Sequence, residues 1–172
     1  MRNLKSMMLL VMTVSLITFT GCKSDDDGGD GGNAADGTIT AKVDGTTVTS
    51  LDLTTVANLV SATNTLTLQG NDADGRGFVF VLNGYDGEGT YDIGGGAIIA
   101  VTASYLEVDI NDPMNTQTWS APFDTTVAGQ ISISSQTSDN IQGTFNFTGQ
   151  NANDMSMKSI TEGSFNVSLM TL

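Results

Sequence analysis

The 172-residue chain carries 19 acidic residues against six basic ones, a net charge of −13, with no histidine and one cysteine. Such an acidic excess repels phosphate backbones and excludes nucleic acid as a partner. Without histidine there is no Ser-His-Asp or Cys-His catalysis and no histidine-bound zinc, and one cysteine allows neither an intrachain disulfide nor a thiolate metal cluster.

Arg2 and Lys5 precede an apolar run from Met7 to Phe19, interrupted by Thr13, Ser15 and Thr18, and the small residues Thr20 and Gly21 precede Cys22. This is the layout of a secretory signal peptide over residues 1–21. A spanning helix needs about 20 apolar residues, and this run is shorter and meets acidic residues at once. Thr20-Gly21-Cys22 resembles the lipobox of bacterial lipoproteins, with Phe19 where leucine is more usual. The resemblance implies a diacylglycerol on the Cys22 thiol, cleavage that leaves Cys22 first, and often acylation of its amine. Each buried CH₂ contributes about 0.8 kcal/mol to membrane anchoring, and two chains hold where one is marginal. The competing reading is a cleaved signal with a free thiol.

Ser24-Asp25-Asp26-Asp27 is similar to the export signal that carries lipoproteins of the Bacteroidota to the cell surface, and implies an outer-membrane, surface location. Its plainer reading is a solvated spacer. Residues 22–37 repel themselves by charge and are rich in glycine, so a flexible acidic tether is expected there. After cleavage, four basic residues face all 19 acidic ones.

Residues 38–172 form one domain-sized block rich in threonine, serine, valine, isoleucine and phenylalanine, punctuated by glycine and asparagine. That composition favours strands joined by turns. Ile39, Ala41 and Val43 alternate with polar residues, and Asp44-Gly45 supplies a tight turn into Thr46 to Ser50. Leu51 to Ser61 reads as a short strand or one helical turn. Thr65 to Gln69 alternates strictly, whereas Gly77 to Leu82 is apolar on both faces and is expected to be central and covered on both sides. In Gly84 to Gly96 the buried members are expected to be Tyr91 and Ile93. Ile98 to Asp109 is long and apolar, Asn111-Asp112-Pro113 breaks it, and Trp119, Ala121 and Phe123 make a return strand. Ile131 and Ile133, then Ile141, Phe145 and Phe147, then Phe165, Val167 and Leu169 predict three antiparallel strands with one buried face.

The fold expected is therefore all-β, an antiparallel β-sandwich or a small flattened β-barrel in a single domain. Eleven aromatic residues are too few for the girdles of an outer-membrane barrel. Val43-Asp44-Gly45, Gly89-Thr90-Tyr91, Gly129 to Ile133, Ile141 to Phe147 and Glu162 to Phe165 together resemble a family of uncharacterised small lipoproteins of the Bacteroidota. The resemblance runs from about Thr38 to Leu169 and implies fold, with no catalytic residues to carry over.

Asn71-Asp72-Ala73-Asp74-Gly75 is the candidate cation site, with Asp72 and Asp74 as calcium ligands. It fails as an EF-hand loop, since Gly70 and Val81 would fall at the first and twelfth positions, and a hairpin turn is the simpler reading. Asp86 to Gly89 and Gly94 to Gly96 open no helix and precede no lysine, so they are turns and not phosphate loops. Tyr85, Tyr105 and Trp119 are candidates for an aromatic platform under a glycan ring, or else for core residues. The only glutamates are Glu88 and Glu162, read as lying in turns, and Glu107, near a strand end; nothing singles out a facing catalytic pair. The expectation is a non-enzymatic binding or interaction domain, without cofactor unless calcium binds, held to the membrane by lipid and facing a glycan or protein ligand. The alternatives are a carboxylate-dependent glycan hydrolase and a structural envelope protein.

Overall fold

The computed structural model describes residues 34–96 and 100–172. Eleven strands follow one another: β1 Thr38–Val43, β2 Thr46–Thr49, β3 Val56–Val60, β4 Thr65–Asn71, β5 Arg76–Asn83, β6 Gly89–Gly94, β7 Val101–Glu107, β8 Gln117–Ala121, β9 Val127–Gln136, β10 Asn140–Gln150 and β11 Met157–Thr171. Two single 3₁₀ turns, Asp52–Thr54 and Pro113–Asn115, interrupt them. Among the described residues no helix is long and apolar enough to cross a membrane.

The strands make one sheet in the order β2-β1-β11-β3-β4-β5-β7-β8-β10-β9-β6, and β11 also pairs with β10. That second pairing closes the sheet on itself, with β1–β2 and β9–β6 extending past the closure. Two layers result, β2-β1-β11-β10-β9-β6 against β3-β4-β5-β7-β8. At one corner only Leu169–Thr171 meets Ala57–Leu59, and at the other only Gln150 meets Ser120. The fold is thus a sandwich whose corners close into a flattened barrel, and the two expected architectures are one object.

Each local choice follows from the residues. Asp44 and Gly45 both take positive φ, 47° and 83°, the two-residue turn that matches strand twist, so Val43 pairs directly with Thr46. Alternation puts Phe78, Phe80 and Leu82 inside, where Phe145 of β10 meets Phe78 and Phe80 across the layers at ring-centroid distances of 5.6 and 4.7 Å. Phe147 meets Phe80 edge-on at 6.0 Å. Tilted and edge-on pairs are the arrangement that ring quadrupoles favour, so these contacts add to simple burial. The outward positions are Thr65, Thr67, Gln69 and Asn71 on β4 and Thr102, Ser104 and Leu106 on β7, polar apart from Leu106, unlike the apolar outer band of a lipid-facing barrel.

Several expectations are corrected. The sheet is not wholly antiparallel: β3 runs parallel to β11. The chain does not reverse between β2 and β3 but crosses from one layer to the other through Asp52–Thr54, so β3 keeps the direction of β2. β5 is central, paired with β4 and β7, but only one of its faces is sealed; Val79 and Val81 are half-buried because no helix layer covers the outside. Leu51 to Ser61 holds both a 3₁₀ turn and a strand. The strand expected over Ile98 to Asp109 is described only for Val101–Glu107, with Ile98 and Ile99 outside the described residues. Phe123 lies beyond β8 and is 39% exposed. Glu162 sits within β11 at positive φ, where β11 shifts register against both β1 and β10, and not in a turn.

Candidate functional site

Cys22 and Ser24 to Asp27 lie outside the described residues. Of the other site candidates, Asp72, Asp74, Tyr105 and Trp119 lie toward one end of the sandwich, around the start of β5, the end of β7 and the start of β11, and Tyr85 lies apart beyond the end of β5.

Asp72 and Asp74 are brought together on a cation of the chain's own. Asp72 Oδ1 accepts the backbone N–H groups of Asp74 and Arg76 at 2.9 and 2.8 Å, and its Oδ2 accepts Arg76 Nε at 2.8 Å. Arg76 Nη2 lies 2.8 Å from Asp72 and 3.1 Å from Asp74. The guanidinium fork lies between the carboxylates, so the two expected calcium ligands are engaged by a cation of the chain's own. Among the described residues no cluster of three or more metal-ligating side chains occurs.

Tyr105 and Trp119 face each other on β7 and β8, ring centroids 5.8 Å apart. They are 1% and 6% exposed, and Trp119 Nε1 donates to Ser156 Oγ at 2.9 Å. Tyr85, also buried, lies apart and stacks on Tyr91 at 5.7 Å. An aromatic platform needs bare ring faces in a common plane, and these three residues supply core contacts instead.

Above the pair, Lys158 Nζ lies 4.5 Å from the Trp119 centroid and 2.9 Å from Glu107 Oε1, to which the Tyr105 hydroxyl also donates at 3.0 Å. Burial, then the bond to the Glu107 carboxylate, pushes the Tyr105 phenol well above its ordinary range. Arg76, Tyr105, Glu107 and Lys158, with Val43, Asp44, Thr46 and Val48, line a polar hollow of about 200 Å³. Glu107 and Lys158 pair with each other, Arg76 with Asp72 and Asp74 outside the hollow, and Asp44 accepts the Ser159 N–H, so its charged groups are all engaged and it reads as a lock across the end of the sandwich.

The larger concavity, about 340 Å³, lies on the outer face of the β4-β5-β7 sheet. Its floor is Gly77, which pairs with Asn71 on one side and Leu106 on the other, flanked by Val79 and Gln69. A Cβ on Gly77 would meet Asn71 Cβ and Gly70 O at 2.8 Å each, so only glycine leaves this depression in an otherwise continuous sheet surface. One wall is the 3₁₀ turn: Thr54 Oγ1 donates to Asn71 O at 2.6 Å, Leu51 N–H donates to the same oxygen at 3.0 Å, and the buried Ser50 and Thr55 hydroxyls bond at 2.6 Å. The opposite wall is Val108 and Ile110, held by the Val108 N–H donating to Gly75 O at 2.9 Å and by Asp109 Oδ1 accepting the Asn111 N–H at 2.9 Å.

No side chain lining this groove titrates in the range of acid–base catalysis. What it offers is apolar surface with the amides of Gln69 and Asn71 and the hydroxyl of Thr54 among its lining. The sequence reading missed it because its residues come from four separate segments. The available signal was Leu106, Val108 and Ile110 continuing an apolar run on the face opposite Tyr105, next to two glycines in Gly75 and Gly77.

No curated protein and no solved structure matches the chain. Residues 35–167 match a family described as a domain of unknown function, DUF6252, an interval that begins just before β1 and ends within β11; the chain belongs to that family.

Proposed function

We propose that this protein is a lipoprotein of the bacterial outer membrane, anchored through lipid on Cys22 and displayed at the cell surface, whose β domain binds a ligand without transforming it. The placement rests on the leader, on Phe19 to Cys22 and on the acidic Ser24 to Asp27 that follows, together with the lipoprotein resemblance of the domain. The observation that carries the binding reading is the 340 Å³ groove, an open apolar concavity outside the core with no titratable side chain in its lining. The glutamates that a hydrolase would draw on are engaged separately: Glu88 with the Gln136 N–H, Glu107 with Lys158, Glu162 with Lys42.

Mass spectrometry of the protein from its native host is the test of anchoring. The expected species begins at Cys22 and carries a diacylglyceryl thioether; an unmodified thiol or an intact leader overturns it. Protease added to intact cells is expected to remove the domain, and survival of the domain overturns surface display.

A further inference from the structure

We infer that the four methionines of the β domain are a site of oxidative modification. Met114, Met155, Met157 and Met170 take up hypohalous acid at their thioether sulfurs without loss of the fold, and a thiol-dependent methionine sulfoxide reductase restores them. The inference is independent of the groove and of the lipid anchor.

The placement of the sulfurs comes first. Methionine is among the residues most often buried, and its flexible thioether is the usual filler of core gaps. Of the eight methionines here, Met1, Met7, Met8 and Met12 precede Cys22. The other four are exposed: Met114 by 95%, Met155 by 62%, Met157 by 45% and Met170 by 59%. Met114 sits in the 3₁₀ turn Pro113–Asn115, Met155 in the connection between β10 and β11, and Met157 and Met170 near the two ends of β11. The core itself is aliphatic and aromatic, and holds no sulfur.

Competing targets are missing or sheltered. Thiols, thioethers, imidazoles and indoles are the side chains that a hypohalous acid attacks fastest. The chain has no histidine, and its one cysteine is Cys22. Trp119 is 6% exposed and its Nε1–H is engaged by Ser156; Tyr85 and Tyr105 are buried. Among the described residues, the four thioethers are therefore the fast targets that solvent reaches. In each, a sulfur lone pair attacks the chlorine of hypochlorous acid and hydroxide leaves. Water then adds to the chlorosulfonium sulfur, chloride leaves, and loss of protons gives the sulfoxide. Sulfur has lost two electrons and chlorine has gained them, so one thioether and one hypochlorous acid yield one sulfoxide, one chloride and one proton. The return step consumes two thiols and releases a disulfide and water. A sulfoxide formed in a core would be an unpaired buried polar group, whereas at these exposed positions it stays hydrated.

The test uses the full processed chain in vesicles of saturated phosphatidylcholine, which offer the oxidant no double bond. Hypochlorous acid is added in small steps, and peptide mass spectrometry scores each methionine, with the Cys22 fragment scored separately. All four methionines are expected to gain one oxygen before Trp119, Tyr85 or Tyr105 is modified. The thermal midpoint and Trp119 emission are expected to stay where they were; that emission is a local probe, since Met155 and Met157 flank Ser156, the hydrogen-bond partner of Trp119. Methionine sulfoxide reductases for both epimers, with dithiothreitol, are expected to remove the added oxygens. The variant with Met114→Leu, Met155→Leu, Met157→Leu and Met170→Leu keeps side-chain volume at exposed sites, and is expected to fold as before and leave most of the oxidant unconsumed over the same interval. Unfolding before the four sulfoxides are complete, aromatic modification ahead of them, sulfoxides that resist the reductases, or undiminished consumption by the variant overturns the proposal. None of these results bears on ligand binding or on anchoring.

Discussion

Lys158 is stacked over the Trp119 ring with Nζ 4.5 Å from its centroid, and so joins the first residues of β11 to the middle of β8 across a corner where the two layers share almost no backbone pairing. The same ammonium holds Glu107 at the end of β7. A single side chain thereby ties three strands where the ladder is weakest.

Replacing Lys158 by methionine keeps most of the apolar stem but removes the charge. The loss of a part-buried cation–π contact and of a charge-assisted hydrogen bond is expected to cost about 1–2 kcal/mol, discounted because both partners keep some solvent. Urea denaturation followed by Trp119 emission reads it. In the native protein that emission should resist acrylamide, and it should become more quenchable in Lys158→Met. An unchanged midpoint would show that the lock is incidental.

Asp72 is 8% exposed and accepts two backbone N–H groups besides the guanidinium. Arg76→Leu leaves that carboxylate buried without its counter-charge, and a loss of about 2–4 kcal/mol is expected, near the lower end for buried pairs because Arg76 is partly exposed. In the unsubstituted protein, millimolar calcium should leave the thermal midpoint where it was. A rise in Tm with calcium would mean that the metal displaces Arg76.

The phenols of Tyr85 and Tyr105 are both held above their ordinary range, Tyr85 at about 12 by burial and then by Tyr91 and Glu88. A raised folded-state value means that the neutral form is favoured in the native protein. The stabilisation is complete below about pH 10, where the unfolded tyrosine ionises, and is lost as pH rises toward the folded-state values. Thermal midpoints are therefore expected to be insensitive to these groups at neutral pH and to fall above pH 10. Ultraviolet titration should show Tyr85 and Tyr105 ionising only as the protein unfolds. Ionisation of these two near pH 10 in the folded protein contradicts the burial.

Gly143 is packed so closely that a Cβ would stand 2.0 Å from Ser132 O and 2.5 Å from Phe165 Cζ. Gly143→Ala must push β9 or the Phe165 ring aside, and a loss of about 3 kcal/mol is expected by the usual scale of overpacking. Calorimetry gives the value, with Gly45→Ala as the comparison: its site is open, and the strain there comes from the positive φ alone. A smaller cost at Gly143 than at Gly45 would mean that the core is looser than described.

Much of the fold was legible because period-two alternation is a local property. Ile131, Ile133, Ile141, Phe145, Phe147, Phe165, Val167 and Leu169 are all buried, as their spacing required. The Asp44-Gly45 turn was legible for the same reason, since two residues decide it. The parallel contact of β3 with β11 was not, because it depends on where the chain crosses between layers, and no residue in either strand encodes that. Asp72 and Asp74 were recognised as close together, but the turn that joins them also delivers Arg76, and the choice between a metal and a guanidinium depends on side-chain direction. The groove escaped detection because a depression is defined by what neighbouring strands do around a glycine, here Asn71 and Leu106 on either side of Gly77.

By itself the sequence determined the acidic and histidine-free chemistry, the all-β class and which residues of the regular strands face inward, because composition and alternation act over a few bonds. The tertiary structure alone decided that the sandwich closes at its corners, that the aromatic candidates pack inward under Lys158, and that the open apolar surface lies on the opposite face of β5. Those outcomes depend on which strands become neighbours, and strand partnership is settled by the balance of burial over the whole chain.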